Sequence, residues 1–221
     1  MSQQELSKKN LIDKARKPEQ VSMKLHSFYR GKMQTMLKSQ VRDFDDFANY
    51  YNPGVAGPCK IIQADADRVY ELTNIWNTVA IVSDCTRVLG LGNIGPKAGY
   101  PVMEGKALLF KYLGGVDAVP ICLNTTNATE IIQVVGWLQH SFGGINLEDI
   151  ASPKCFYILS QLREELTVPV WHDDQQGTAI VMLAGLLNSL KIVGKSIKKV
   201  RICLNGAGAA NIGTASLLIA Y

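Results

Sequence analysis

The chain has 221 residues, 47% of them hydrophobic and 19% charged, with a formal net charge of +4. A composition this rich in aliphatic side chains excludes a disordered chain, and roughly 70% of the unfolded surface of such a length can be buried. The positive charge comes mainly from the first forty residues; it is too mild to point to nucleic acid, and no apolar run reaches the ~18 residues of a membrane span.

The opening MSQQELSKKNLIDKARK has no apolar signal-peptide core and carries acids that transit peptides avoid, so the expected address is the cytoplasm. The first 75 residues read as mostly helical, with a loop at 52–58 (NPGVAGP). Strands are then predicted at 78–82 and 87–91, and a helix at 102–112. A strand at 118–123 and a helix at 128–141 follow, the helix opening on Asn127 and Glu130 at capping-box spacing. Next come a strand at 144–147, a helix started by Ser152 and Pro153, and a strand at 168–171. A long apolar helix at 177–193 leads to a strand at 200–205 and the glycine-rich start of a last helix. Alternation at this rhythm predicts the α/β class, with βαβ units and a parallel sheet covered on its faces. The five cysteines include no close pair and fit neither a disulfide framework nor a zinc site; Cys122 and Cys203, both within ICL runs, are expected in the core.

Ligands of open parallel sheets gather at the carboxyl ends of the strands. Two glycine loops lie at such ends. Gly90, Gly92 and Gly95 fit G-x-G-x-x-G, but Pro96, Gly99 and Pro101 follow at once, so no helix is expected in time to face a pyrophosphate. The second loop, Gly206, Ala207, Gly208, Ala209, Ala210, Asn211, stands between a predicted strand and a helical pattern, the required order. Asn211 replaces the third glycine, which predicts looser packing of that helix.

Glu148-Asp149 and Asp173-Asp174 follow two successive strands. Carboxylates converging there repel unless a cation sits among them, and oxygen-only ligands favour Mg²⁺ or Mn²⁺. Neighbours on extended chain point opposite ways, so Asp173 and Asp174 can serve two partners. Lys106, among apolar neighbours at the start of a helix, is a cation candidate expected to lose its proton more easily than a free lysine; the alternative is a snorkelling surface lysine. Arg87 is placed either to clamp a carboxylate or to pair with Asp84, and Tyr51 is either an acid or an interface or core tyrosine.

SDCTRVLGLGNIGPKAGYPVMEGKALLFK, FGGINLEDI, VWHDDQQGTAIVMLAGLLNSLKIVGK and the GAG loop together closely resemble the malic enzymes of the shorter bacterial type, and NYYNPGVAGPC resembles their tyrosine loop. The resemblance covers roughly residues 40 to 221. It implies oxidative decarboxylation of malate to pyruvate and CO₂ with NAD or NADP and Mg²⁺ or Mn²⁺. By motif position it implies Glu148, Asp149 and Asp174 as metal ligands, Lys106 as the base with Asp173 beside it, Arg87 on a substrate carboxylate and Tyr51 as the acid for the enol. Gly206, Gly208, Ala209 and Asn211 would meet the nucleotide.

The implied organisation is a parallel-sheet substrate and metal domain over 1–176, then a connecting helix and the first βα unit of a Rossmann domain over 177–221. The family continues past the position of Tyr221, so the resemblance implies a nucleotide domain only begun here. Family members are usually dimers or larger. Departures are Asn93 for a usual Asp, Cys85 for a common glycine, Asn52 for Ser or Thr, and Gln176 for a frequent His. Three alternatives accompany this reading: an oxaloacetate decarboxylase without hydride transfer, a malolactic enzyme, and a non-catalytic truncated paralogue that binds a full-length partner.

Overall fold

The computed structural model describes residues 8–221. The chain divides into two units at residues 36 and 37. The described part of the first contains helix α1 (Lys8–Tyr29), which leaves Met23, Phe28 and Tyr29 exposed.

The second unit begins with three short helices, α2 (Phe44–Tyr50), α3 (Ala56–Ala64) and α4 (Val69–Leu72). Asp43 caps α2 by accepting from the N–H groups of Asp45 and Asp46. The turn between α2 and α3 occupies much of the predicted 52–58 loop. Strands β1 (Thr78–Ser83), β2 (Asp117–Cys122), β3 (Gly144–Leu147) and β4 (Val170–His172) then form one parallel sheet in the order β2-β1-β3-β4. They are joined by α5 (Gly95–Gly114), α6 (Ala128–Leu138) and α7 (Lys154–Glu165), and followed by α8 (Thr178–Ile192) and α9 (Ala209–Ala220). The α/β expectation holds. Among the described residues no helix is long and apolar enough to cross a membrane.

The alternation of each strand sorts its side chains. Ala80 and Val82 of β1 with Ile145 and Leu147 of β3 pack against Ile131 and Val135 of α6 and Ile158 and Leu162 of α7. These are nearly continuous apolar strands, as a sheet covered by crossover helices requires. Met103 and Ala107 are the buried face of α5, which packs on β1 and β2. Because the chain leaves β1 for β2 in one direction and β3 for β4 in the other, the strand order reverses between β1 and β3. A crevice opens at their carboxyl ends.

Five expectations are corrected. Residues 87–91 form no strand: Val88 and Gly92 make a single antiparallel bridge around a tight turn, with Leu89 and Gly92 at positive φ. The helix expected at 102 begins at Gly95, because Pro96 falls in its first turn, where a missing N–H costs nothing. Residues 200–205 form no strand; no described strand pairs with them, and an apolar run becomes a strand only by pairing. Cys203 lies in that segment and is exposed, not core, while Cys122 is half-buried. The capping box at α6 closes differently from its pattern. Asn127 Oδ1 accepts from Thr129 and Glu130 N–H, but the Glu130 carboxylate turns to the Thr125 hydroxyl, which also accepts from Asn127 N–H.

Candidate active site

The crevice between β1 and β3 is tied together by one residue. Asp149, just past β3, sits at φ 54°, a left-handed conformation that a non-glycine residue holds only when its surroundings demand it. Its N–H donates to Asp174 Oδ2 at 2.8 Å, beyond β4, and its carbonyl accepts from Arg87 N–H at 3.0 Å, beyond β1. Three strand ends are thus joined through one peptide unit on each side of Asp149. Thr86 extends the link, since its hydroxyl accepts from Ala151 N–H and donates to Asp84.

Glu148, Asp149 and Asp174 line a cavity of about 450 Å³ together with Arg87 and residues Gly208, Ala209 and Ala210 at the start of α9. Burial, then the charges of Asp174 and Glu148, push the Asp149 carboxyl up to about 7. Burial also raises Glu148. Asp174 is lowered: burial works against its charge, but the His172 ring and the Asp149 N–H outweigh it. His172 Nε2 stands 3.3 Å from Asp174 Oδ2, a contact short of well-aligned hydrogen-bond geometry.

Three carboxylates in one cavity, two of them raised, have the chemistry of a hard divalent cation site. Asp149 Oδ2 is buried without a partner, which fits that reading. The side chains share the cavity but are not drawn into a ligand cluster: among the described residues no three His, Cys, Asp or Glu groups stand close enough to hold a metal ion.

Lys106 and Asp173 face the other way. Both line a larger, mostly apolar cavity of about 660 Å³ with Phe110, Asn146 and Trp171. Lys106 Nζ is 2.5 Å from Asp173 Oδ2 and 3.2 Å from Glu148 Oε2, so Glu148 is the link between the two cavities. The polar cavity, though smaller, carries most of the candidate chemistry; the apolar one holds Lys106, the candidate base. Lys106 lies within α5, not at a helix start, and its pKa is raised. Burial alone would lower it, but Asp173 and Glu148 together prevail. The expectation of an easily lost proton is overturned by these two carboxylates.

Asp173 is held from its other oxygen by Trp171 Nε1–H at 3.2 Å. It belongs to a π-helical turn, Asp173–Gly177, and a Cβ at Gly177 would lie 2.1 Å from Asp173 Oδ1. Gly177→Ala is therefore expected to swing the carboxylate away from Trp171 and Lys106. The fold should survive with a melting temperature only a few degrees lower, while turnover falls at least about tenfold. Native turnover in this variant would show that the position of Asp173 is immaterial.

The remaining candidates are unevenly placed. Arg87 is exposed, lines the polar cavity and donates from Nη1 to Leu89 O at 2.5 Å. It does not pair with Asp84, whose buried carboxylate is taken by Lys154 and Thr86. Tyr51 stands at the end of α2, 74% exposed, and lines neither cavity. Gly208 caps α9 with no side-chain hydrogen bond, leaving the first backbone N–H groups of that helix available at the polar cavity. Gly206 adopts φ 103°, and Asn211 Nδ2 donates to Asn205 O and Gly206 O at 2.8 and 3.1 Å, so the amide locks the loop. The close packing expected to loosen is supplied by Gly213, where a Cβ would stand 2.4 Å from Gln175 O.

Sequence reasoning missed Asn146, His172 and Lys154. Each is buried or half-buried and reaches a carboxylate from a neighbouring position in space. Asn146 and His172 share a signal: a polar residue interrupting an apolar strand two positions before an acid.

Two family models match, "Malic enzyme, N-terminal domain" over residues 30–133 and "Malic enzyme, NAD binding domain" over residues 175–221. The bifunctional malic/malolactic enzyme of Bacillus subtilis is 52% identical over 200 residues, 90% of this chain and 49% of that protein. The NADP-dependent malic enzyme of Escherichia coli is 47% identical over 202 residues, 91% of this chain and 27% of that protein. The crystal structure of an NAD-dependent malic enzyme from Thermotoga maritima superposes with a TM-score of 0.87 at 48% identity, over 90% of this chain and 52% of that one. The chain thus spans about half, or less, of the proteins it matches.

Proposed function

Because this chain belongs to the malic enzyme family, we propose that residues 37–221 carry the substrate and metal half of a site that converts malate to pyruvate and CO₂. The observation that carries the reading is the shared cavity: the strand-end carboxylates Glu148, Asp149 and Asp174 meet the free N-terminus of α9 there. The carboxylates would hold Mg²⁺ or Mn²⁺, and the N–H groups at Gly208–Ala210 suit the phosphates of NAD or NADP. When bound, the dinucleotide takes hydride from C2 and the divalent ion stabilises negative charge on the C2 oxygen.

The chain's own residues do the rest in this reading. Arg87 supplies a guanidinium for a substrate carboxylate at the mouth of the polar cavity. Lys106 exchanges a proton with the C2 oxygen, and Asp173 and Glu148 hold its ammonium form between transfers. Loss of CO₂ from C4 leaves an enolate, which takes a proton at C3. That acid is assigned to Tyr51 by the resemblance alone, and its surface position adds nothing to the assignment.

The test is decarboxylation of oxaloacetate with Mn²⁺ and no nicotinamide, read against the background of free Mn²⁺. The native chain is expected to exceed that background and Asp174→Ala to return to it. No difference between the two would sink the metal site and the reading with it.

A further inference from the structure

We propose that Asn146 is a positioning residue for Glu148, fixing one carboxylate oxygen so that the other is left for the cation. The inference rests on the metal reading above. Asn146 is the third residue of β3, and only 2% of it is exposed. Its neighbours Ile145 and Leu147 fill the apolar cluster against α6 and α7, so the alternation of the strand sends the Asn146 side chain to the opposite face. There Nδ2 donates to Glu148 Oε2 at 2.9 Å and to Leu147 O at 3.4 Å. Lys106 Nζ approaches the same Glu148 oxygen at 3.2 Å.

Two consequences follow from the chemistry of the groups. With Oε2 engaged by both an amide and an ammonium, Glu148 retains one oxygen with full lone-pair capacity, and this residue lines the polar cavity. The amide orientation is also fixed, since a flip would set Asn146 Oδ1 against a carboxylate. That orientation leaves Oδ1 buried with no hydrogen-bond partner. An orphaned acceptor needs a reason. A leucine of similar shape would fill the same space without one, so packing does not explain the amide, and anchoring Glu148 does.

The test is Mn²⁺ binding to the full chain, followed by the electron paramagnetic resonance signal of the free ion, without substrate or nicotinamide. Asn146→Leu, with Asn146→Ser as the smaller change, is expected to weaken Mn²⁺ binding about 10- to 100-fold, the usual effect of removing an outer-shell partner. The metal-free melting temperature should hold within a few degrees. Glu148→Gln should weaken binding at least as much, and adding Asn146→Leu to it should cost nothing further, because the two act through one oxygen.

If Glu148→Gln weakens binding and the Asn146 variants do not, the proposal falls and the metal reading stands. If Glu148→Gln binds Mn²⁺ like the native chain, the Glu148 metal reading falls and takes the proposal with it. Loss of the fold in both Asn146 variants also overturns the proposal, since the amide would then be serving the core.

Discussion

On the proposed reading, replacing Lys106 by alanine is expected to lower malate turnover by about 10²- to 10⁴-fold, the usual contribution of a positioned acid–base group and equal to about 3–5 kcal/mol in the barrier. Lys106 also has a structural role to be separated from this. Its ammonium lies 2.5 Å from Asp173 and 3.2 Å from Glu148, so alanine removes the cation that both carboxylates face. Lys106→Arg resolves the two roles. A guanidinium keeps the charge and can pair with both acids, but it does not give up its proton in the working pH range. The arginine variant should therefore melt close to the native protein and remain as inactive as the alanine variant. Activity in Lys106→Arg near the native level would reduce Lys106 to a counter-ion and require another base. The raised pKa of Lys106 sharpens the expectation, because the proton is held by Asp173 and Glu148 and not by the lysine alone. Asp173→Asn removes the shorter of its two ion pairs and should bring the ionisation of Lys106 to lower pH; because a base works unprotonated, the rise of the pH–rate profile should move to lower pH with it.

The course of β1 to β4 was legible because each is a mostly apolar run bounded by turn residues, and the acids beyond β3 and β4 stand out against that background. Glu148, Asp149 and Asp174 could be singled out for the same reason. What escaped was decided by partners distant in sequence. VRICLN has the composition of a strand, yet among the described residues it finds none to pair with. The proline at 96 looked like a helix breaker, but at the first turn it starts α5. Local apolar neighbours suggested a lysine poised to lose its proton, whereas Asp173 lies 67 positions away in the chain and reverses the direction. Asn146 and His172 were hidden inside strands, where a polar residue betrays itself only once the acid two positions on is known to face it. Tyr51 could be singled out beside the 52–58 loop, but its part as the acid for the enol came from the resemblance, and its exposed place at the end of α2 does not decide between acid and interface tyrosine.

Without a divalent ion, the protein is expected to lose stability as the pH rises from about 4 to about 7, and with Mn²⁺ the trend should reverse. The cause is Asp149, whose carboxyl is raised from 3.8 to about 7 in the folded chain. Between those values the folded state binds more protons than the unfolded state, so raising the pH favours unfolding. The full effect is on the order of 4 kcal/mol above pH 7, which for a chain of this size corresponds to roughly 10 °C in melting temperature. Burial raises Glu148 as well, which adds in the same direction. The other shifted groups of the site act outside this window. Asp174, lowered in the fold, contributes stability that is lost only as the pH falls below its ordinary range, and Lys106, raised, contributes stability that is lost only at high pH. A cation held by the ionised carboxylates removes the penalty and adds its own binding energy, about 2.7 kcal/mol at a concentration a hundredfold above the dissociation constant. Asp149→Asn separates the contributions: it should flatten the metal-free pH profile, raise the melting temperature at pH 8 and abolish most of the gain from Mn²⁺. An Asp149→Asn protein with the native pH slope would mean that the buried charge lies elsewhere. A native protein whose melting is indifferent to Mn²⁺ at pH 8 would remove the cation from the cavity altogether.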